Sequence, residues 1–91
     1  MQHSLDTRRK RLHYRTNHTG IRETDVLMGG FVAEYGDGLD GEAIGALEDL
    51  LDGAHDPEIL DWITGRHSIP ERFRTTIMER IVKFVREQHS Y

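Results

Sequence analysis

Residues 40–53 read DGEAIGALEDLLDG and contain the start, the apolar stripe and the end of one amphipathic helix. Asp40 suits the N-cap position, because a carboxylate there accepts a hydrogen bond from a free backbone N–H of the first turn. Apolar residues follow at the spacing of one helical face, namely Ile44, Leu47, Leu50 and Leu51. Gly53 is expected to end the helix, since glycine is the preferred residue just past a helical C-terminus.

The same periodicity predicts four further helices, two on either side of this one. The first two span about residues 6–17 and 22–35. The fourth is expected to run from Asp56, as its cap, to Gly65, and the fifth is expected to start at Pro70. No segment alternates in the way that a half-buried strand does. The predicted fold is therefore all-α, a compact five-helix bundle in a single domain.

The inner faces of these helices predict the core. The expected core residues are Leu5 and Leu12 in the first helix, Val26, Leu27, Phe31, Val32 and Tyr35 in the second, Ile59, Leu60, Trp62 and Ile63 in the fourth, and Phe73, Ile77, Ile81, Phe84 and Val85 in the fifth. Gly29 and Gly30 lie inside the second helix, where each glycine is less favourable than alanine by about 1 kcal/mol. We therefore expect another helix to pack closely there. The domain is expected to cover residues 1–91, with its core over about 5–86 and frayed residues at both ends.

Length and composition exclude several classes of protein. The chain has 91 residues and no cysteine, so disulfides and thiolate metal sites are excluded. A core of this size leaves no room for an enclosed cofactor cavity. No apolar run approaches the roughly 18 residues that a transmembrane helix needs. The N-terminal residues contain no apolar h-region, so we expect no secretory signal. We expect an unprocessed intracellular protein without direct membrane insertion.

Charge is distributed unevenly along the chain. The net charge is −4, yet residues 1–22 carry +5, residues 34–61 carry ten acidic side chains without Lys or Arg, and residues 62–91 carry +3. Such blocks usually mark solvated faces and less often a charge-matched partner. The basic run at residues 8–11 could contact phosphates, but the pI of 5.8 is far below the value of about 9 that is typical of nucleic-acid-binding domains. Nucleic acid is therefore not the predicted partner.

No motif match carries catalytic chemistry. Residues 36–41 read GDGLDG, formally a G-x-G-x-x-G, but a dinucleotide site needs a strand before the loop and this loop follows a helix. The six histidines contain no pair spaced to place two imidazoles on one helical face. No serine lies in a nucleophile elbow. We predict no catalytic, cofactor-binding or metal-ligating residue.

Residues 18–25, HTGIRETD, join the first two helices. Gly20 indicates a cap or a tight turn with positive φ. Two interpretations are equally supported by the residues alone. In the first the segment is structural, with Thr24 as N-cap and two acidic residues favouring the helix dipole. In the second it is a recognition edge that presents a guanidinium and two carboxylates beside the basic first helix.

A series of short segments along the chain is typical of one family. They are RLHYR at residues 11–15, the Gly20-x-x-Glu23 turn, then Asp25, Leu27, Gly29 and Phe31, LEDLL at residues 47–51, DPEILDWITG at residues 56–65, and Pro70. From about Arg9 to Val85 the chain resembles the succinate dehydrogenase assembly factors, also called flavinators. The resemblance implies a five-helix protein that is not an enzyme and holds no cofactor stably. Such a protein binds the flavoprotein subunit of succinate dehydrogenase, or of fumarate reductase, and promotes covalent attachment of FAD to that partner.

The resemblance also implies where the partner binds. The functional signature of the family is an R-G-x-x-E turn that contacts the flavoprotein; Gly20 and Glu23 match it. Thr19 stands at the position of the arginine and cannot supply a bidentate cationic donor, whereas Arg22 lies nearby and could substitute in part. The implied partner-binding residues are Thr19, Gly20, Arg22, Glu23, Asp25, His18, Arg11 and Arg15.

Two other functions remain open from the sequence. One is a regulatory or antitoxin-like adaptor that binds a different protein, and the other is nucleic-acid binding through the basic first helix. The resemblance implies a location in the bacterial cytoplasm, or in the mitochondrial matrix of a eukaryote. The free protein is expected to be a monomer.

Overall fold

Five α-helices connected by short turns make up the described part of the chain. A computed structural model describes residues 4–89. The α-helices are α1 (Leu5–Thr16), α2 (Arg22–Tyr35), α3 (Gly41–Gly53), α4 (Asp56–Ile63) and α5 (Thr76–His89), and the short 3-10 helices are Gly36–Gly38 and Glu71–Phe73. No strand occurs within residues 4–89. The predicted all-α, five-helix architecture is confirmed, while the expected fraying at residues 1–3 and 90–91 lies outside the described residues.

Side-chain caps define the starts of α1 and α3. The Ser4 hydroxyl accepts a hydrogen bond from the Thr7 N–H at 3.2 Å. The Asp40 carboxylate accepts one from the Ala43 N–H at 2.9 Å, which confirms the predicted cap. The helix also ends at Gly53, as expected. A dinucleotide-binding loop requires a strand directly before it. The GDGLDG segment instead follows the helix α2.

The predicted cap of α4 is wrong by one residue. His55 occupies the N-cap position, and Asp56 and Pro57 are the first two helical residues. The Glu58 carboxylate accepts a hydrogen bond from the His55 N–H at 3.3 Å, as in a capping box. Pro57 is tolerated because the N–H groups of the first turn have no intrahelical acceptor. The helix ends at Ile63, and Gly65 follows with φ of +83°.

The predicted start of α5 at Pro70 is also wrong. Pro70 precedes the 3-10 helix Glu71–Phe73, and α5 begins at Thr76. Thr75 supplies the cap, since its hydroxyl accepts a hydrogen bond from the Met78 N–H at 3.2 Å. Phe73 is thereby placed outside α5, where its ring packs 5.5 Å from that of Trp62.

The core lies where the inner faces of the helices meet. Its buried apolar residues are Leu12, Leu27, Met28, Phe31, Val32, Leu39, Ile44, Leu47, Leu50, Ile59, Trp62, Ile63, Phe73, Ile77, Met78, Ile81 and Val85. Three expected core residues are instead partly exposed, namely Leu5 at 39%, Val26 at 53% and Tyr35 at 40%. Leu5 is the first residue of α1 and Tyr35 the last of α2, and Val26 lies beside the buried stripe of Leu27 and Phe31.

Helices α1 and α2 pack closely at Gly29. A Cβ atom built on Gly29 would lie 2.6 Å from Asn17 Oδ1 and 3.3 Å from the Thr16 carbonyl oxygen. The expected close approach of another helix is confirmed, and that helix is α1. At Gly30 the nearest contact to such a Cβ is the ring of Phe84 at 3.9 Å. The packing at Gly29 fixes the end of α1 against α2 and so positions the turn between them.

Candidate functional site: a glycine corner between α1 and α2

The turn from α1 to α2 is called the glycine corner here and comprises residues 17–21. Its first two residues are hydrogen-bonded to the last turn of α1. The Asn17 N–H donates to the Tyr14 carbonyl and the His18 N–H donates to the Arg15 carbonyl, each at 3.2 Å. Gly20 then adopts φ of +100°, as predicted, a conformation that glycine adopts without a steric penalty. Gly20 is exposed, so the corner presents backbone at the protein surface.

Thr19 and Asp25 are bonded to each other across the corner. Asp25 Oδ1 accepts hydrogen bonds from the Thr19 N–H at 2.7 Å and from the Thr19 hydroxyl at 2.6 Å. The Thr19 hydroxyl also accepts a bond from the Ile21 N–H at 3.3 Å. Both side chains are half-buried. These two predicted site residues therefore form part of the internal structure of the corner.

Thr24 does not cap α2. The N-cap residue is Ile21, which has no side chain to accept a hydrogen bond. Thr24 is fully buried, and its hydroxyl has no hydrogen-bond partner among the residues described. The structural interpretation of the segment is wrong on this residue, although Glu23 and Asp25 do lie in the first turn, where negative charge is favourable.

Charged side chains surround the exposed backbone of Gly20. Arg22 is exposed in the first turn of α2 and forms no ion pair with any residue in the described part of the chain. Glu23 is half-buried. Asp56 approaches from α4, such that a Cβ built on Gly20 would lie 3.5 Å from Asp56 Oδ2. Its place beside the corner was not predicted, because only the tertiary fold brings α4 there.

An aromatic pair lies on the α1 side of the corner. The rings of Tyr14 and His18 are stacked, with centroids 4.1 Å apart and planes inclined by 16°. His18 Nδ1 also lies 2.7 Å from the Tyr14 carbonyl oxygen. Tyr14 is 65% exposed, and sequence reasoning did not assign it to the site. Its spacing of four residues from His18 was the available signal, since residues i and i+4 are neighbours on a helix.

The basic residues of α1 are partly neutralised by α3. Arg8 donates two hydrogen bonds to Glu48, from Nε at 3.2 Å and from Nη2 at 2.6 Å. The hydrogen bond and the charge of Glu48 raise the pKa of the Arg8 guanidinium. Arg15 Nη2 lies 2.8 Å from Asp52 Oδ1. The block of positive charge seen in the sequence thus pairs in part with the acidic block of the same chain.

The structure brings some of the predicted site residues together and separates others. His18, Thr19 and Gly20 belong to the corner. Arg22, Glu23 and Asp25 follow it in the first turn of α2. Arg11 and Arg15 lie one to three turns back along α1: Arg11 is exposed, whereas Arg15 is half-buried.

The site presents backbone and side chains at the protein surface. Within residues 4–89, no group of three or more His, Asp or Glu side chains could hold a metal ion. In the same part of the chain, no helix combines the length and apolar character needed to cross a membrane. What the corner and its flanking residues present is exposed backbone at Gly20, the cation of Arg22 and the aromatic pair.

Comparisons with known proteins show which family the chain belongs to. A family model described as flavinator of succinate dehydrogenase matches residues 10–85. The FAD assembly factor SdhE of Acetobacter pasteurianus is 41% identical over 80 residues, which cover 88% of this chain and 72% of that protein.

Mitochondrial proteins of insects are similar as well. Succinate dehydrogenase assembly factor 2-A of Drosophila mojavensis is 31% identical over 83 residues, and assembly factor 2-B of Drosophila yakuba is 32% identical over 83 residues. Each match covers 90% of this chain and 53% of the fly protein, so the chain spans about half the length of these relatives. The family match covers nearly the whole bundle, from α1 to α5, and includes the glycine corner. The chain therefore belongs to the flavinators of succinate dehydrogenase.

Proposed function

We propose that the protein is an assembly factor that binds the flavoprotein subunit of succinate dehydrogenase, or of fumarate reductase, and promotes covalent attachment of FAD to it. The observation that carries the proposal is the exposed backbone at Gly20, in a chain that belongs to the flavinator family. The relatives carry the names of assembly factors, which describe helper proteins. In this proposal the FAD, the residue that it modifies and the chemistry all belong to the partner.

The proposed contact surface is the glycine corner with its flanking charges. A glycine at the surface lets a partner approach the backbone closely, because no side chain stands between them. Arg22 supports the same conclusion. A cation in the first turn of a helix is unfavourable with respect to the helix dipole, and Arg22 forms no compensating ion pair within the described chain. We propose that its guanidinium binds an acidic group of the flavoprotein.

His18, Glu23 and Arg11 complete the proposed surface. His18 is held in one orientation by its stack on Tyr14, so little side-chain freedom would be lost on binding. We propose that Glu23 makes a charged hydrogen bond to the partner. The free protein acts as a monomer in this proposal, in the cytoplasm of a bacterium or in the mitochondrial matrix of a eukaryote.

Reconstitution of covalent flavinylation tests the function. The flavoprotein subunit would be expressed with and without this protein, in a strain that lacks its own assembly factor, and covalent flavin would be measured by in-gel fluorescence. We expect clearly more covalent flavin when the protein is present. Equal fluorescence in both samples would show that the protein is not a flavinylation factor. Co-purification with a different protein would then favour the regulatory adaptor.

A further inference from the structure

The carboxylate of Asp25 accepts two hydrogen bonds from Thr19 of the glycine corner. Its Oδ1 atom accepts a hydrogen bond from the Thr19 N–H at 2.7 Å and another from the Thr19 hydroxyl at 2.6 Å. The Thr19 hydroxyl in turn accepts a hydrogen bond from the Ile21 N–H at 3.3 Å. One side chain at the start of α2 is thus linked to backbone groups on both sides of Gly20.

This linkage acts on the least constrained part of the main chain. Gly20, at φ of +100°, is the residue type with the widest choice of backbone conformations. Holding a residue in one conformation costs conformational entropy. Hydrogen bonds to an ionised acceptor are roughly twice as strong as neutral ones. The Thr19–Asp25 pair is therefore well suited to hold the backbone of the corner in one conformation.

We propose that Thr19 and Asp25 are positioning residues, which fix the corner in the conformation where Gly20 and Arg22 face the flavoprotein. This inference rests on the proposed function for its partner. It gives Thr19 and Asp25 a role distinct from direct partner contact: they act through the shape of the corner. Affinity then falls in proportion to the fraction of molecules that hold the competent conformation.

The hydroxyl of Thr19 is the element to test. Thr19→Val removes the hydroxyl and keeps the shape, whereas Thr19→Ser keeps the hydroxyl. Thr64→Val is a matched control, because the hydroxyl of Thr64 is also half-buried and donates to the Leu60 carbonyl at 2.7 Å, outside the corner. Asp25→Ala removes the acceptor, and Asp25→Asn keeps an acceptor oxygen without its charge.

Amide hydrogen exchange in the free, full-length protein is the first readout. Thr19→Val should accelerate exchange at the Ile21 amide by about tenfold, because that amide loses its acceptor. Thr19→Ser and Thr64→Val should leave this rate as in wild type. Unchanged exchange at Ile21 in Thr19→Val would overturn the positioning role, whether or not the flavoprotein is the partner.

Affinity for the flavoprotein subunit, measured by calorimetry, is the second readout. Thr19→Val should weaken binding by roughly three- to tenfold, Thr19→Ser should restore it, and Thr64→Val should have no effect.

In a double-mutant cycle, Thr19→Val should add no further loss to Asp25→Ala, since both remove the same linkage. If Asp25→Ala does not fold, Asp25→Asn is used instead; because its amide oxygen still accepts weaker hydrogen bonds from Thr19, Thr19→Val should then add less than its loss in the wild type. Fully additive losses would overturn the proposal. Absence of wild-type binding would instead refute the proposed function, while the exchange result stands.

Discussion

Arg8 of α1 and Glu48 of α3 form a bidentate ion pair, with Arg8 Nη2 2.6 Å from Glu48 Oε1 and Arg8 Nε 3.2 Å from Oε2. Two parallel bonds of this kind fix direction as well as distance. The pair joins the most basic helix of the chain to its most acidic segment. Charge blocks that could suggest an external partner are therefore partly matched within the bundle.

This pairing predicts how the protein behaves towards nucleic acid. Duplex DNA should show no gel shift with wild-type protein at low salt, because Arg8 and Arg15 are already bound to carboxylates. Glu48→Gln combined with Asp52→Asn should release both arginines and give weak binding that disappears as salt rises. Wild-type binding with a steep salt dependence would contradict this account and would favour the nucleic-acid alternative.

A second prediction concerns the contact of α1 with α2. Gly29→Ala places a methyl group 3.3 Å from the Thr16 carbonyl oxygen and closer still to Asn17. Overpacking typically costs about 1–3 kcal/mol, and the helical preference of alanine returns up to about 1 kcal/mol. We expect the free energy of unfolding to fall by about 1 kcal/mol, as measured by urea denaturation with Trp62 fluorescence.

Gly30→Ala is the control for that variant. Its nearest contact is the Phe84 ring at 3.9 Å, an ordinary van der Waals distance. The free energy of unfolding should stay the same or rise by up to about 1 kcal/mol. Equal effects of the two substitutions would mean that close packing is not what the glycine at position 29 provides.

Two buried threonines should respond in opposite ways to loss of their hydroxyls. Thr16 and Thr24 are both fully buried. The Thr16 hydroxyl donates to the Leu12 carbonyl at 2.9 Å, whereas that of Thr24 has no partner in the described chain. Burying an unpaired polar group costs about 1–3 kcal/mol, so Thr24→Val should raise the free energy of unfolding by about 1 kcal/mol. Thr16→Val should lower it by a similar amount.

Urea denaturation of both valine variants, under identical conditions, checks this prediction. A loss of stability in Thr24→Val as large as that in Thr16→Val would contradict it. The Thr24 hydroxyl would then have a hydrogen bond in solution.

Features set by neighbouring residues could be predicted from the sequence. The cap at Asp40, the end of α3 at Gly53 and the positive φ of Gly20 each follow from the chemistry of one residue and its neighbours. The close approach at Gly29 followed from a glycine placed where a helix does not favour one. Such signals need no knowledge of the tertiary fold.

Features that depend on distant contacts could not be predicted. Pro70 and Thr75 are both valid helix start signals, and in the structure α5 begins after Thr75, while Phe73 packs against Trp62 before the helix. The Arg8–Glu48 pair joins residues 40 positions apart. At the glycine corner the sequence singled out residues 18–25 but not Tyr14 or Asp56, and it did not indicate that Thr19 and Asp25 bond to each other.

Two glycines make it possible to separate recognition from backbone strain. Gly20 and Gly65 are both exposed and both have positive φ, at +100° and +83°. Any other residue there is strained by about 1–2 kcal/mol, so Gly20→Arg and Gly65→Arg should lose similar amounts of stability. Gly65 lies at the end of α4, outside the proposed contact surface.

Calorimetric titration of the flavoprotein subunit with these two variants tests the proposed role of the corner. Gly20→Arg should weaken binding by at least about tenfold, because a long side chain would stand between the corner and its partner, while Gly65→Arg should bind as wild type does. Binding of Gly20→Arg with wild-type affinity would contradict the account, since the exposed backbone at Gly20 would then not be where the flavoprotein is held.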